Sequence, residues 1–234
     1  MWRSEKVSVV LPTYNEKDSI RACIEEFFAT GVVDEVVVVN NNAAEGTSEE
    51  VAKTRAREVF EPVQGYGASM RRGLDTAAGE LICVCEPDGT FRGRDLHKLL
   101  AYVDDVDYVI GTRTTREFVW EGANMGFLLK WGNWAVAKMA EFLFNCTILT
   151  DCGCTYRLIR RRALERARSR FQAIGNTFGL EMTLSVIQEK IDFVEIPVNY
   201  LPRVGTSSVT GDMGKAIRLG LQMIGLVLRR RFGA

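Results

Sequence analysis

No sign of charge dominates this chain, because thirty lysines and arginines balance thirty aspartates and glutamates. The global basic field that holds nucleic acid is therefore missing, and no nucleic-acid partner is expected. The six cysteines, Cys23, Cys83, Cys85, Cys146, Cys152 and Cys154, contain no Cys-x-x-Cys pair. Most sit in apolar surroundings, so reduced core thiols are expected rather than disulfides or a zinc site. No run reaches the ~18 uninterrupted apolar residues of a spanning helix. A strand follows Met1 too closely for an apolar signal segment, and a cytoplasmic location is expected. Repeats, low-complexity tracts and linkers are missing from the 234 residues, which favours one domain. The phosphate-loop pattern GxxxxGK[ST] and the full GxGxxG spacing are missing too.

What is present is an alternation of strands and helices. Val7–Leu11, Val36–Val39, Glu80–Cys85 and Tyr108–Gly111 read as short strands, too apolar and β-branched to be exposed on either face. Between them, Asn15 is placed to cap a helix with Ile20, Cys23, Ile24, Phe27 and Phe28 on one face. Ser48–Val59 reads as a charged helical return, Gly67–Ala78 as a helix and Leu96–Val103 as another. The pattern predicts an α/β fold, a mostly parallel central sheet flanked by helices. The second half is less regular. Phe127–Phe144 is nearly apolar all round and reads as a helix that is buried or faces something greasy. Thr177–Glu189 reads as a helix, Phe193–Ile196 as a strand and Met213–Arg231 as a final helix.

Polar residues collect where the strands end. Pro12-Thr13-Tyr14-Asn15-Glu16, Asn40-Asn41-Asn42, Glu86-Pro87-Asp88 and Gly111-Thr112-Arg113 each follow a strand. In a parallel sheet these ends lie on one side, so four such segments favour a nucleotide crevice. Glu86-Pro87-Asp88-Gly89 has two readings. It is ordinary turn chemistry, and it is also a pair of carboxylates of the kind hard divalent cations take. Gln64–Leu74, with its early glycines, reads either as a helix start or as a loop that touches a phosphate.

Taken in order, these segments resemble family 2 glycosyltransferases of the GT-A fold, and more narrowly the dolichyl-phosphate mannose synthase group. The residues that carry the resemblance are VVLPTYNE (from Val9), VVVNNNAAEGT (from Val37), GYGASMRRGL (from Gly65) and EPDGTF (from Glu86). The second half adds GTR at Gly111, DCGCTYRLIRR from Asp151 and VEIPVNYLPRVGTSSVT from Val194. The resemblance implies a transferase domain over residues 1–211 and an amphipathic basic helix over 212–234. It implies an inverting enzyme that moves a sugar from a nucleotide-diphosphate donor to a polyprenyl phosphate, with magnesium or manganese as cofactor. Asp88 falls on the last position of the family's metal-binding DxD, and Glu86 replaces the first aspartate. Pro12, Tyr14, Glu16, Asn40 and Gly67 fall where the family contacts the nucleotide sugar. Asn40 stands for an aspartate, and Ser208 for a phosphate-binding lysine. These departures leave open a weak nucleotide-sugar-binding protein.

A polyprenyl phosphate already carries an anionic oxygen near pH 7, since the second pKa of a phosphate monoester is about 6. Such an acceptor needs cations rather than a base, and Arg113, Arg157 and Arg203 suit that task. A hydroxyl acceptor would need a base, for which Asp151 is the leading carboxylate; a structural cap is its other reading. The last helix suits a membrane interface, with Ile217, Leu221, Ile224 and Leu228 on one face and Lys215, Arg218, Gln222 and Arg229 on the other. Arg229–Arg231 would add roughly 3 kcal/mol at an anionic surface, about 1 kcal/mol each. Peripheral attachment to the cytoplasmic face is the expectation, with packing on the protein's own domain as the alternative.

Overall fold

The computed structural model describes residues 1–123, 127–205 and 213–233. Val7–Thr13 forms β1, whose seven residues are all buried, as a strand covered on both faces must be. It pairs in parallel with β2 (Glu35–Asn40) on one side and β4 (Leu81–Val84) on the other. Pro12 sits in this central strand without breaking a ladder. Val10 accepts from the Cys85 amide, so Pro12, two residues on, turns the same edge toward a neighbour that has just left the sheet. The strand therefore runs past the expected Leu11 stop to Thr13.

β3 (Arg57–Phe60) lies outside β2, and β7 (Phe193–Pro197) lies parallel to β5 (Tyr108–Thr112). Between β4 and β5, β6 (Arg157–Arg160) runs antiparallel to both. Among the described residues the sheet has seven strands in the order β3-β2-β1-β4-β6-β5-β7. Side chains of β1 alternate between two cores, with Val7, Val9 and Leu11 in one and Val10 in the other. The first core is covered by α1 (Lys17–Ala29), α2 (Thr47–Ala52) and α4 (Leu96–Tyr102). The second is covered by α3 (Tyr66–Thr76), α5 (Phe127–Phe144), α6 (Arg161–Ala167), α7 (Phe178–Gln188) and α8 (Met213–Phe232).

Two local expectations are corrected, and two elements were not foreseen. Ser48–Val59 is not one helix: it splits into α2 and the edge strand β3, whose charged residues hide it from a pattern search. β3 owes its state to docking on β2 rather than to its own composition. Glu16, not Asn15, stands at the start of α1, and its carboxylate accepts the Tyr14 and Asn15 amides at 2.7 and 2.9 Å. β6 and α6 were hidden inside the arginine-rich segment after Asp151.

α8 is two-sided. Met223, Leu226 and Val227 enter the second core, while Ile217, Leu221, Ile224 and Leu228 are exposed. Its arginine cluster is less outward than expected. Arg230 reaches Glu181 Oε1 at 2.6 Å and the Arg170 carbonyl, and Arg231 Nε donates to the Leu143 carbonyl at 2.8 Å. On α5, Trp131 and Trp134 are exposed and meet edge to face at 5.5 Å. Among the described residues no helix is long and apolar enough to cross a membrane. All six cysteines are free, and five of them are buried.

Candidate active site

The chain leaves β4 through Glu86-Pro87-Asp88-Gly89, and Gly89 takes φ +78°, so the turn reading of this segment holds. The carboxylates are held within it. Asp88 is 0 % exposed, and its Oδ1 accepts the Thr90 amide at 2.9 Å and the Thr90 hydroxyl at 2.5 Å. Its Oδ2 accepts no well-angled hydrogen bond, but Arg203 Nη2 stands 2.5 Å away. The same Nη2 lies 3.1 Å from Glu86 Oε2. One guanidinium, from the segment after β7, thus bridges two carboxylates from the turn after β4. Burial and the Asp88 charge push the Glu86 carboxyl upward, against Arg203, and the charges of Glu16 and Arg113 are felt there too. Glu16, Glu86, Asp88, Arg113 and Arg203 therefore share one electrostatic neighbourhood.

Arg113, just after β5, is bound to Asp151. Its Nε donates to Oδ2 at 2.7 Å, its Nη2 to Oδ1 at 2.8 Å, and its backbone amide to Oδ2 at 3.1 Å. Gly153 adds an amide to Oδ1 at 3.1 Å. Asp151 is 0 % exposed. Burial alone would raise its pKa, but the charge and hydrogen bonds of Arg113 outweigh burial and hold it below the usual carboxylate value. Both oxygens are taken, which supports the structural reading of Asp151 over the base. The Arg113 guanidinium lies over the Tyr200 ring, 5.2 Å from its centroid.

Arg157 is not brought to the crevice. It is 2 % exposed, and its donors go to the carbonyls of Cys154 (2.7 Å), Cys152 (3.1 Å) and Gly179, and to the hydroxyls of Tyr108 and Thr183 (both 2.9 Å). That guanidinium ties the loop after Asp151 to β5 and α7, and has no reach to a substrate phosphate. Gly67 is explained by packing: a Cβ there would meet the Ala173 carbonyl at 2.4 Å. Pro12 is buried in β1, and Tyr14 is exposed beyond the strand's end. Asn40 is already engaged, donating to Ser48 Oγ (3.1 Å) and Glu58 Oε1 (3.0 Å) and accepting the Ala43 amide (2.8 Å). Its amide hydrogens are both spoken for, leaving acceptor capacity on the oxygen. Ser208 lies outside the described residues.

Two contributors were not foreseen. Glu195 in β7 accepts the Thr150 amide and hydroxyl, both at 2.7 Å, and the Asp151 amide at 2.8 Å, so it fixes the loop that fixes Arg113. A charged residue inside an apolar strand was the available signal. Tyr200, packed on Phe91 at 5.7 Å, supplies the surface under Arg113. Two open hollows, of 460 and 420 Å³, lie elsewhere, one beside Lys17 and Arg21 and one beside Arg170 and Arg230.

Glu86, Asp88 and Arg113 thus gather beyond the carboxyl ends of β4 and β5, with Arg203 beside them. Residues 8–168 match the sequence profile of Glycosyl transferase family 2. The chain belongs to that family. As a family 2 glycosyltransferase it has a relative in an uncharacterized glycosyltransferase of Mycobacterium tuberculosis, 34% identical over 221 residues, covering 91% of this chain and 94% of that one. The low-salt glycan biosynthesis hexosyltransferase Agl6 of Haloferax volcanii is 27% identical over 210 residues, 87% of this chain and 49% of Agl6. Among solved structures, glucosyl-3-phosphoglycerate synthase from Mycobacterium tuberculosis superposes with a TM-score of 0.74, at 16% identity, over 97% of this chain and 80% of that one. That crystal holds Mn2+, UDP and glucosyl-3-phosphoglycerate. A second crystal of the same synthase, with Mg2+ and UDP, gives 0.75 over the same shares. These likenesses establish the GT-A fold for the family 2 chain.

The carboxylate pair fits a divalent ion of the kind the fold family uses. Among the described residues no group of three or more His, Cys, Asp or Glu side chains could hold a metal. Magnesium, however, is commonly held by one or two carboxylates with substrate phosphates and water completing its shell. Glu86 and Asp88 would supply those two, and Asp88 Oδ2 has only a guanidinium to give up.

Proposed function

We propose that this glycosyltransferase moves a sugar from a nucleotide-diphosphate donor to a polyprenyl phosphate at a membrane surface. Glu86 and Asp88 would hold a divalent ion against the donor diphosphate. When bound, such an ion neutralises charge on the leaving diphosphate. The phosphate oxygen of the acceptor forms the new bond to the anomeric carbon as the bond to the diphosphate oxygen breaks. The electron pair leaves with the nucleoside diphosphate, and the anomeric centre inverts.

Asp151 carries this reading. Its two oxygens serve Arg113 and two amides, Glu16 is folded onto the loop after β1, and Glu195 holds the Asp151 loop. With Glu86 and Asp88 assigned to the ion, none of these carboxylates is left to take a proton from a hydroxyl. An acceptor whose oxygen is already anionic needs no such group. Arg113 and Arg203 are the cations that would hold the two anionic substrates together. The exposed Ile217, Leu221, Ile224 and Leu228 on α8 favour a lipid surface for the acceptor, with residues 212–234 as the membrane-facing part of the chain.

A soluble phosphate-bearing acceptor is the second reading. It draws on the solved neighbour, one crystal of which holds phosphoglyceric acid. The test is product analysis by mass spectrometry with UDP- and GDP-sugars and either undecaprenyl phosphate or phosphoglyceric acid, with Mn2+ or with excess chelator. Sugar on the lipid phosphate, only with metal, is expected. Transfer to phosphoglyceric acid alone would select the second reading, and undiminished transfer in chelator would remove the ion.

A further inference from the structure

The bridge from Arg203 to the carboxylate pair has a consequence for how the site loads. Arg203 is fixed at its backbone on both sides. The Leu201 amide donates to the Thr90 carbonyl at 2.8 Å, and the Val204 amide to the Asp88 carbonyl at 2.9 Å. The carboxylate side is equally fixed: Thr90 pins Asp88 Oδ1, and Ser19 Oγ donates to the Pro87 carbonyl at 2.6 Å. Neither strand of this clamp needs to open for a ligand. The Arg203 side chain, by contrast, is a quarter exposed and long enough to turn about its own bonds.

We propose that Arg203 is the resident counter-cation of Glu86 and Asp88 in the donor-free protein, and that its guanidinium must turn away for a divalent ion to be held there. This rests on the metal role given to those carboxylates under the proposed function. Without Arg203, two carboxylates two residues apart would repel, so the arginine keeps the pair assembled before substrate arrives. The same charge competes with any incoming cation. A nucleoside diphosphate relieves the competition twice, by adding oxygen ligands for the ion and by offering the displaced guanidinium an anionic partner. Arg203 therefore makes ion and nucleotide bind together rather than separately.

The test is Mn2+ binding to the full chain, read from the electron paramagnetic resonance signal of free Mn2+, with and without UDP or GDP. Wild type should bind Mn2+ weakly alone and much more tightly with one of the two nucleotides. Removing a competing half-buried ion pair in Arg203→Gln should tighten binding of Mn2+ alone by about tenfold, and shrink the nucleotide's effect. Arg203→Lys, which keeps the charge, should stay close to wild type. Arg203→Met repeats the neutral comparison without a side chain that could hydrogen-bond the carboxylates. Circular dichroism confirms that each variant is folded. Unchanged or weaker Mn2+ binding by both neutral variants, with nucleotide-dependent binding intact, overturns this inference alone. Failure of every form to bind Mn2+ even with nucleotide overturns it together with the metal reading.

Discussion

Replacing Asp151 by asparagine separates a carboxylate that takes a proton from one that holds an arginine. The side chain is 0 % exposed and its Arg113 partner 11 % exposed, joined by hydrogen bonds of 2.7 and 2.8 Å. Breaking a buried pair by removing one partner costs about 3–5 kcal/mol, because the remaining charge is left without compensation. Water reaches one side of Arg113, so the lower end, about 3 kcal/mol, is expected. Asparagine keeps an oxygen for one donor but turns an amide group toward the guanidinium, which adds to the loss. Urea unfolding followed by circular dichroism measures the change as a lower midpoint at unchanged slope. Arg113→Gln should lose a similar amount, and the double variant should fall short of the sum by about 2 kcal/mol, since both remove one interaction. The pH dependence has a definite sign. Asp151 is held below its ordinary pKa, so its stabilisation is complete above the ordinary carboxylate range and is lost as pH falls through the lowered value. Wild type should thus lose stability on acidification below about pH 4 more steeply than Asp151→Asn, with the gap constant from pH 6 to 8. An Asp151→Asn protein as stable as wild type but without turnover would refute the holding role and restore the base.

Asp88→Asn should abolish turnover while the far-ultraviolet spectrum stays native, and Glu86→Gln should be milder; full activity of Asp88→Asn in a transfer assay would remove the carboxylate pair from the mechanism. Arg157→Gln should lower stability by about 3 kcal/mol, because buried carbonyls lose charged donors, and should leave acceptor KM unchanged in the folded fraction. A raised acceptor KM at native stability would return Arg157 to the crevice. Leu221→Glu with Leu228→Glu should reduce sedimentation with anionic liposomes and spare transfer to a short, soluble lipid phosphate. Equal sedimentation would assign the α8 stripe to another surface.

Long, strongly patterned elements were legible from sequence, and elements defined by their neighbours were not. α5 ends where its apolar run ends, at Phe127 and Phe144, and α7 and α8 differ from expectation by a residue at their ends. β3 and β6 escaped because four residues, two of them charged, carry no period, and only pairing with β2 or β4 makes them strands. The site shows the same division. Strand-end polarity located Glu86, Asp88 and Arg113, because a parallel sheet gathers its carboxyl ends. Partnership was invisible: nothing in the order of residues says that Asp151 faces Arg113, that Arg157 faces carbonyls, or that Arg203 spans two carboxylates. Arginine was read as a phosphate ligand three times, yet Arg157 serves the loop at Cys152 and Cys154. Burial made that difference, and burial is a property of the whole fold.

The central claim is that the acceptor's own phosphate oxygen is the nucleophile. Phosphorus-31 NMR of the reaction, with nucleotide sugar, Mg2+ and a short polyprenyl phosphate, observes that atom's bonding directly. The account predicts that the phosphomonoester resonance is replaced by a phosphodiester resonance as nucleoside diphosphate is released, and that neither change occurs with chelator. Release of nucleoside diphosphate and transfer of sugar to an added hydroxyl compound, with the phosphomonoester resonance unchanged, would contradict it.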